Sequence, residues 1–442
     1  MSNRFLPIFF DTLRALGVEY AVLRNYDTLP WKVPGTDIDI LIRDEDSVRI
    51  FRALEAAAME SGYRVWKSYR KNFDIMQTSY APPVCSDPEE VLRVDFFLGC
   101  VRWRGFDIIS PALLWKNVGE LNGIKVLNDP CKTALTLLNS FVFGSGIKEK
   151  YIKEYMALDA GKRAGVREMV SSVLGPYGAE VAGALESAGA GRSFAWPGRK
   201  ALRAGFLRSK RFNPFSFLRG ILSAARTSFG RLLSPPGLFV ALTGPDGCGK
   251  STMNSMMQKR CAKLFSGVEA FHLFPKPGIF AFLDERSIDR WEKRHAKADE
   301  WELRKKKAPL WKSSLRAAYL LFRFWAGYLV WIYPRLVKGR LVVGERWRYD
   351  LLTDPASKGI YLPYSARKLV YSLCPRPPLT IVLSGSAGEM ARRKAEIPEE
   401  EISRQLKIME KELWGKKGVV FADSTGEVEG TFATVLKALV SA

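Results

Sequence analysis

At 442 residues, with 47% hydrophobic and 12% aromatic content, the chain has material for two or three packed domains, and global disorder is excluded. A formal net charge of +22 favours anionic partners, namely nucleotides, nucleic acid or an anionic membrane face, over a background of ordinary solvated Lys and Arg. Six cysteines without C-x-x-C spacing and only two histidines, His272 and His295, weigh against a zinc site and fit a reducing, cytoplasmic setting.

Residues 3–17 read as an amphipathic helix with no signal-peptide h-region. A strand is expected at 19–23, then a Pro- and Asp-rich turn at 24–34. In the next strand candidate, 35–42, Asp37 and Asp39 stand two apart, so alternation projects both from one face, where they could share a divalent cation. A helix at 44–62 and strands near 63–69 and 74–79 follow. Asp95 is embedded in the apolar run 92–97, a costly place for a carboxylate unless it is paired or metal-bound. Asp37, Asp39 and Asp95 together have the makings of a two-metal phosphoryl-transfer triad; the bland alternative places the first two at a solvated strand end.

Residues 130–186 are helical by periodicity, with Asn128-Asp129-Pro130 as a cap. Between Glu186 and Asp246 there is no acidic residue, while Arg199, Lys200, Arg203, Arg208, Arg226 and Arg231 alternate with Phe206, Phe215, Phe217 and Phe229. We read 189–235 as a basic linker with short amphipathic helices. An anionic membrane surface touching 192–231 ranks second and nucleic acid third. The most apolar run, 317–333, is interrupted by Arg323 and falls short of the roughly 20 residues that span a bilayer, so a buried helix is expected.

The strongest signal follows the apolar run 238–242. Gly244, Gly247, Gly249, Lys250 and Ser251 fit G-x-x-x-x-G-K-[ST] without mismatch. Glycines let the backbone curl until several N–H groups point inward at a phosphate, with Gly244, Pro245, Gly247, Cys248 and Gly249 forming the loop. The helix starting near Lys250 adds its positive end. Lys250 would neutralise the β- and γ-phosphates of ATP, the Ser251 hydroxyl would bind Mg2+, and Thr252 completes the loop. Further on, Glu345 ends a β run at 340–345 and is a candidate second Mg2+ ligand, with Arg346 facing the transferred group. Strands at 379–383 and 419–422 and a final helix at 427–441 complete a β–α alternation that implies a parallel sheet. The segment 385–396 carries Arg392, Arg393 and Lys394, read as a mobile lid over the triphosphate or, more plainly, as a charged helix face.

On these motifs 236–442 resembles the thymidylate-kinase-like branch of P-loop nucleoside monophosphate kinases. The resemblance rests on Gly244–Thr252 with Asp246 inside the loop, on Gly344-Glu345-Arg346-Trp347 where that family usually has Asp-Arg-Tyr, and on Ala391-Arg-Arg-Lys394. It implies ATP and Mg2+ as cofactors, with Asp246 orienting or deprotonating an acceptor. Residues 16–100 resemble the nucleotidyltransferase superfamily through the D-x-D strand and the later Asp95. Where that family carries a Gly-[Gly/Ser] pair, this chain has Leu23-Arg24-Asn25, leaving either an Arg24 phosphate contact or loss of nucleotidyl transfer. The stretch Tyr349–Pro355 resembles kinases fused to nucleotidyltransferase-like domains, associated as a group with bacterial surface-polysaccharide or lipid-linked sugar pathways.

The resulting expectation is an α/β chain. It has an α+β nucleotidyltransferase-like domain at 1–128, a helical appendage at 129–188, the basic linker at 189–235 and a P-loop kinase domain at 236–442. The expected activity is ATP- and Mg2+-dependent phosphorylation of a sugar or glycan in the cytoplasm, with peripheral attachment to the inner membrane face. Rival readings are a nucleoside monophosphate kinase, nucleotidyl transfer by the N-terminal half, and a nucleic-acid-binding or scaffolding protein on degenerate enzyme folds.

Overall fold

The alternation in Ile38-Asp39-Ile40-Leu41-Ile42 sets the layering of the N-terminal half: Ile38, Ile40 and Ile42 enter one apolar cluster, while Leu41 enters another on the opposite face. The computed structural model describes residues 3–72, 74–103, 105–140, 149–189, 198–209, 214–275, 309–394 and 397–442. The chain divides into two compact units, one of Met1–Pro82 with Glu89–Gly230 and one of Pro83–Pro88 with Arg231–Ala442. Outside the described residues lie Arg192, Lys210, Arg211, His295, most of the charged stretch 284–312, and residues 395–396 at the end of the expected lid.

In the first unit the strands are β1 (Tyr20–Val22), β2 (Ile38–Ile42), β3 (Arg64–Arg70), β4 (Ile75–Ala81), β5 (Leu92–Leu98), the short pair β6 (Arg102–Trp103) and β7 (Phe106–Asp107), β8 (Val118–Leu121) and β9 (Ile124–Leu127). Seven of them form one mixed sheet in the order β3-β4-β5-β2-β1-β9-β8. Helices Phe5–Ala15 and Ser47–Glu60 cover one face through Phe5, Phe9, Phe10, Ile50 and Leu54. The β8–β9 hairpin was not expected from the sequence. Its turn, Asn122-Gly123, has φ of +53° and +72°, the left-handed pair that a two-residue hairpin requires.

On the other face the expected continuous helical stretch is divided into Asp129–Leu138, Glu149–Met156, Ala160–Leu174 and Pro176–Gly189. Asn128 and Asp159 cap two of these by accepting from the N–H groups of Cys131 and Lys162. These helices are not a separate layer. Leu135, Leu138, Tyr155, Val170 and Leu174 share one buried cluster with Ala21, Leu41, Phe106 and Ile108. Part of the expected linker joins the same core. Residues Arg199–Ser209 form a helix that buries Leu202 and Phe206, and Pro214–Leu233 is one 20-residue helix.

The second unit is a five-stranded sheet of β10 (Leu238–Thr243), β11 (Val268–His272), β12 (Leu341–Glu345), β13 (Leu379–Ser384) and β14 (Val419–Asp423). The order is β11-β12-β10-β13-β14, and every neighbouring pair is parallel. Such sheets are buried on both faces, which is why β10, β12 and β13 are near-continuous apolar runs. Where the run 317–333 was expected as a buried helix, helix Leu310–Gly327 is buried along one side. Ala317, Leu320 and Phe324 pack inward, whereas Trp311, Leu315 and Leu329, on or just past the same helix, are exposed. Ser313, Ala317, Leu320, Arg323 and Phe324 form one covered stripe, and the apolar run continues onto the uncovered side through Tyr319, Phe322 and Trp325. Among the described residues no helix is long and apolar enough to cross a membrane.

Candidate functional site

The site in the second unit grows from the central strand. β10 ends at Thr243, and the chain turns through Gly244–Gly249 into the helix Lys250–Arg260. Gly247 has φ +83°, and a Cβ there would stand 2.3 Å from the carbonyl oxygen of Met390, so helix Ala387–Arg393 presses directly on the loop. Gly249 caps the helix in the left-handed conformation, aiming the first N–H groups into the loop. Lys250 is buried, and its Nζ donates to the carbonyls of Gly244 at 2.9 Å and Pro245 at 2.6 Å, with Asp246 at 3.5 Å. Ser251 and Thr252 are exposed on the first turn, and Cys248 is buried.

Parallel register places Leu242 of β10 opposite Glu345 of β12, so the Glu345 carboxylate lies level with the start of the loop. It is buried and accepts a 2.6 Å hydrogen bond from Nδ2 of Asn254. Asn254 was not singled out from the sequence, although it follows Ser251 by one helical turn, the spacing of neighbours on one face.

After Glu345 the backbone turns sharply: Arg346 has φ +66° and Trp347 φ +33°, unusual for residues with side chains. Trp347 anchors this turn. Its ring is fully buried against Phe239, Phe271 and Phe324, and its Nε1 donates to the Pro375 carbonyl at 3.0 Å. Arg346 is thereby held against Asp246, with Asp350 at 3.6 Å, and Lys358 pairs with Asp350 at 3.2 Å. Burial by itself would raise the Asp246 carboxyl, but the charges of Arg346, Lys250 and Lys394 outweigh it and hold Asp246 below its ordinary value. Asp246 is therefore suited to orienting an acceptor and is a weak base.

Of the expected lid residues, Lys394 contributes its charge to Asp246. Arg392 donates within its own helix to Gly388, and Arg393 donates to the carbonyls of Ser424 and Thr425. Among the described residues, neither bonds to the loop.

The residues fit Mg2+. Ser251 and Glu345 are hard oxygen donors at the mouth of the loop, and Mg2+ in phosphate sites takes few protein ligands beside phosphate and water.

The first unit gives a different answer. Asp39 on β2 stands opposite Asp95 on β5, on the face shared with Leu41, as alternation predicts. Asp39 pairs with Arg24 at 2.5 Å, Asp95 with Lys71 at 2.5 Å and Asp37 with Arg93 at 3.2 Å. Gln77, opposite Asp95 on β4, donates to the other Asp95 oxygen. Burial raises the Asp39 carboxyl despite Arg24, whereas Arg93 and Lys71 overcome burial and lower Asp37. Each of the three carboxylates thus has a cationic partner, and among the described residues no group of three His, Cys, Asp or Glu side chains is placed to hold a metal ion. Arg24, Asp39, Phe97, Leu135 and Asn139 instead line a small cleft.

No protein-family model matches the chain, and no curated protein does. Among solved structures it is similar to thymidylate kinase from Ehrlichia chaffeensis, at 16% identity and a TM-score of 0.31, over 46% of this chain and 98% of that one. At that score the likeness carries no inference, and the site stands on its own geometry.

Proposed function

We propose that the second unit is an ATP- and Mg2+-dependent phosphotransferase acting in the cytoplasm. The observation that carries this reading is the juxtaposition at one end of a parallel sheet. A G-x-x-x-x-G-K-[ST] loop runs into a helix N-terminus, and a buried carboxylate, Glu345, ends the neighbouring strand at the same level. Lys250 would exchange its carbonyl partners for the β- and γ-phosphates. Ser251 and Glu345 would hold Mg2+, which supplies charge neutralisation on the phosphates. Arg346, fixed by Trp347, offsets charge developing on the transferred group, with Lys394 adding to the positive field. Asp246 orients the acceptor group.

The acceptor we favour is a sugar or glycan of a surface-polysaccharide or lipid-linked pathway, following the resemblance at Tyr349–Pro355. A nucleoside monophosphate is the second reading, favoured by the Arg346 guanidinium, which could grip an acceptor phosphate. Incubation with ATP, Mg2+ and a panel of glycans and monophosphates, read by mass spectrometry, separates the two. Lys250→Met should lower ATP turnover about 100-fold or more with unchanged circular dichroism, and unaltered turnover would remove the site.

A further inference from the structure

The helix Pro214–Leu233 is amphipathic in the wrong sense for a soluble surface helix. Leu218, Ile221, Leu222 and Phe229 recur at three-, four- and seven-residue spacing and fall within roughly a third of the circumference. On an ordinary surface helix this stripe packs inward. Here all four are exposed, at 52%, 49%, 61% and 63% of their full area. The covered positions lie on the other side: Phe217 packs half-buried against the first unit's core, Gly220 is buried, and Ser223 and Thr227 are half-buried. Arg226, exposed, borders the apolar stripe, and the helix holds no acidic residue. The charge bias extends beyond it, since no Asp or Glu occurs between Glu186 and Asp246.

We propose that this helix lies in the headgroup region of a bilayer containing anionic lipid, with Leu218, Ile221, Leu222 and Phe229 turned into the acyl boundary and Arg226 meeting lipid phosphates. Apolar area supplies the insertion, and the one-signed charge selects the surface. The charge decides the occupant. A second copy of this chain would bring its own Arg226 against this one, with no acidic residue on either helix, whereas an anionic leaflet is complementary. Such placement would bring ATP-dependent chemistry to acceptors carried on lipid, although the helix assignment does not depend on that activity.

The test is co-sedimentation of the full chain with vesicles of phosphatidylcholine alone and of phosphatidylcholine mixed with phosphatidylglycerol. Binding should favour the anionic vesicles about tenfold or more and weaken as salt is raised. Leu222→Gln with Phe229→Gln, which leaves charge unchanged, should reduce that binding about tenfold or more, while Ala224→Gln, exposed but outside the apolar stripe, should not. The Leu222→Gln/Phe229→Gln chain should retain wild-type ATP turnover in solution, which separates failure of the helix from failure of the kinase reading. Equal binding to both vesicle types, or unchanged binding by the double variant, overturns the proposal. So does a dimer detected by light scattering that the double variant dissolves, or retention by a polynucleotide in place of vesicles.

Discussion

Glu345 depends on a residue two elements away. Its carboxylate is buried and has a hydrogen bond from the Asn254 amide, so Asn254 fixes which oxygen faces the mouth of the loop. Removing that amide leaves a buried carboxylate free to rotate. Asn254→Ala should raise the Mg2+ concentration needed for half-maximal ATP turnover about 10- to 100-fold while leaving the rate at saturating Mg2+ much less affected. An unchanged Mg2+ requirement would show that Glu345 is not a metal ligand. A second consequence at this scale concerns pH. Partial burial and the Arg346 charge push the His272 imidazole below its ordinary value of 6.5. The folded state therefore binds this proton less readily than the unfolded chain does. His272 contributes stability that is present above pH 6.5 and lost as pH falls below it. Asp246, also held low, acts in the same direction at a lower pH, below its ordinary 3.8. Proton NMR of the chain and of its His272→Gln variant isolates this imidazole. The signal removed by His272→Gln should have its midpoint below 6.5, and a midpoint above it would contradict this environment. Residues such as Lys250 and Ser251 were legible in advance because a short motif fixes their spacing. Asn254 and Lys358 were not, because their roles come from strand register and loop return, which no local pattern encodes.

At the level of elements, the loop is shaped by the helix that presses on it. Gly247 and Gly249 share a φ of +83°, yet a Cβ at Gly249 meets nothing within 4 Å while one at Gly247 runs into backbone at Met390. Gly249→Ala should cost about 1 kcal/mol, the conformational penalty alone. Gly247→Ala should cost distinctly more and should depress ATP turnover further, because helix Ala387–Arg393 must move away. Urea denaturation of the two variants measures the difference, and equal losses would deny the contact. The elements themselves were mostly readable. The parallel strands declared themselves as apolar runs, and the N-terminal helices by their period. The β8–β9 hairpin carried an Asn-Gly signal that went unused. The apolar run 317–333 reads as a buried helix, but helix Leu310–Gly327 is covered along one stripe only, because burial depends on what the fold sets against each side.

For the whole molecule, two separately packed cores imply two separable stabilities. The second unit's core converges on Trp347, fully buried among Phe239, Phe271 and Phe324. The first unit's clusters hold their own aromatic set around Phe5, Phe9 and Phe96. Trp347→Ala should therefore destabilise by about 3–5 kcal/mol. In scanning calorimetry that loss should lower one of two transitions by about 10 °C and leave the other in place. ATP with Mg2+ should raise the same transition, by about 2.7 kcal/mol when the nucleotide stands at roughly 100 times its dissociation constant, since only the folded loop binds it. Lys250→Met should keep both transitions near their wild-type positions but abolish the nucleotide-dependent rise, separating binding from folding. A rise in the transition that Trp347→Ala leaves untouched would assign nucleotide binding to the first unit, where Asp37, Asp39 and Asp95 each have a cationic partner.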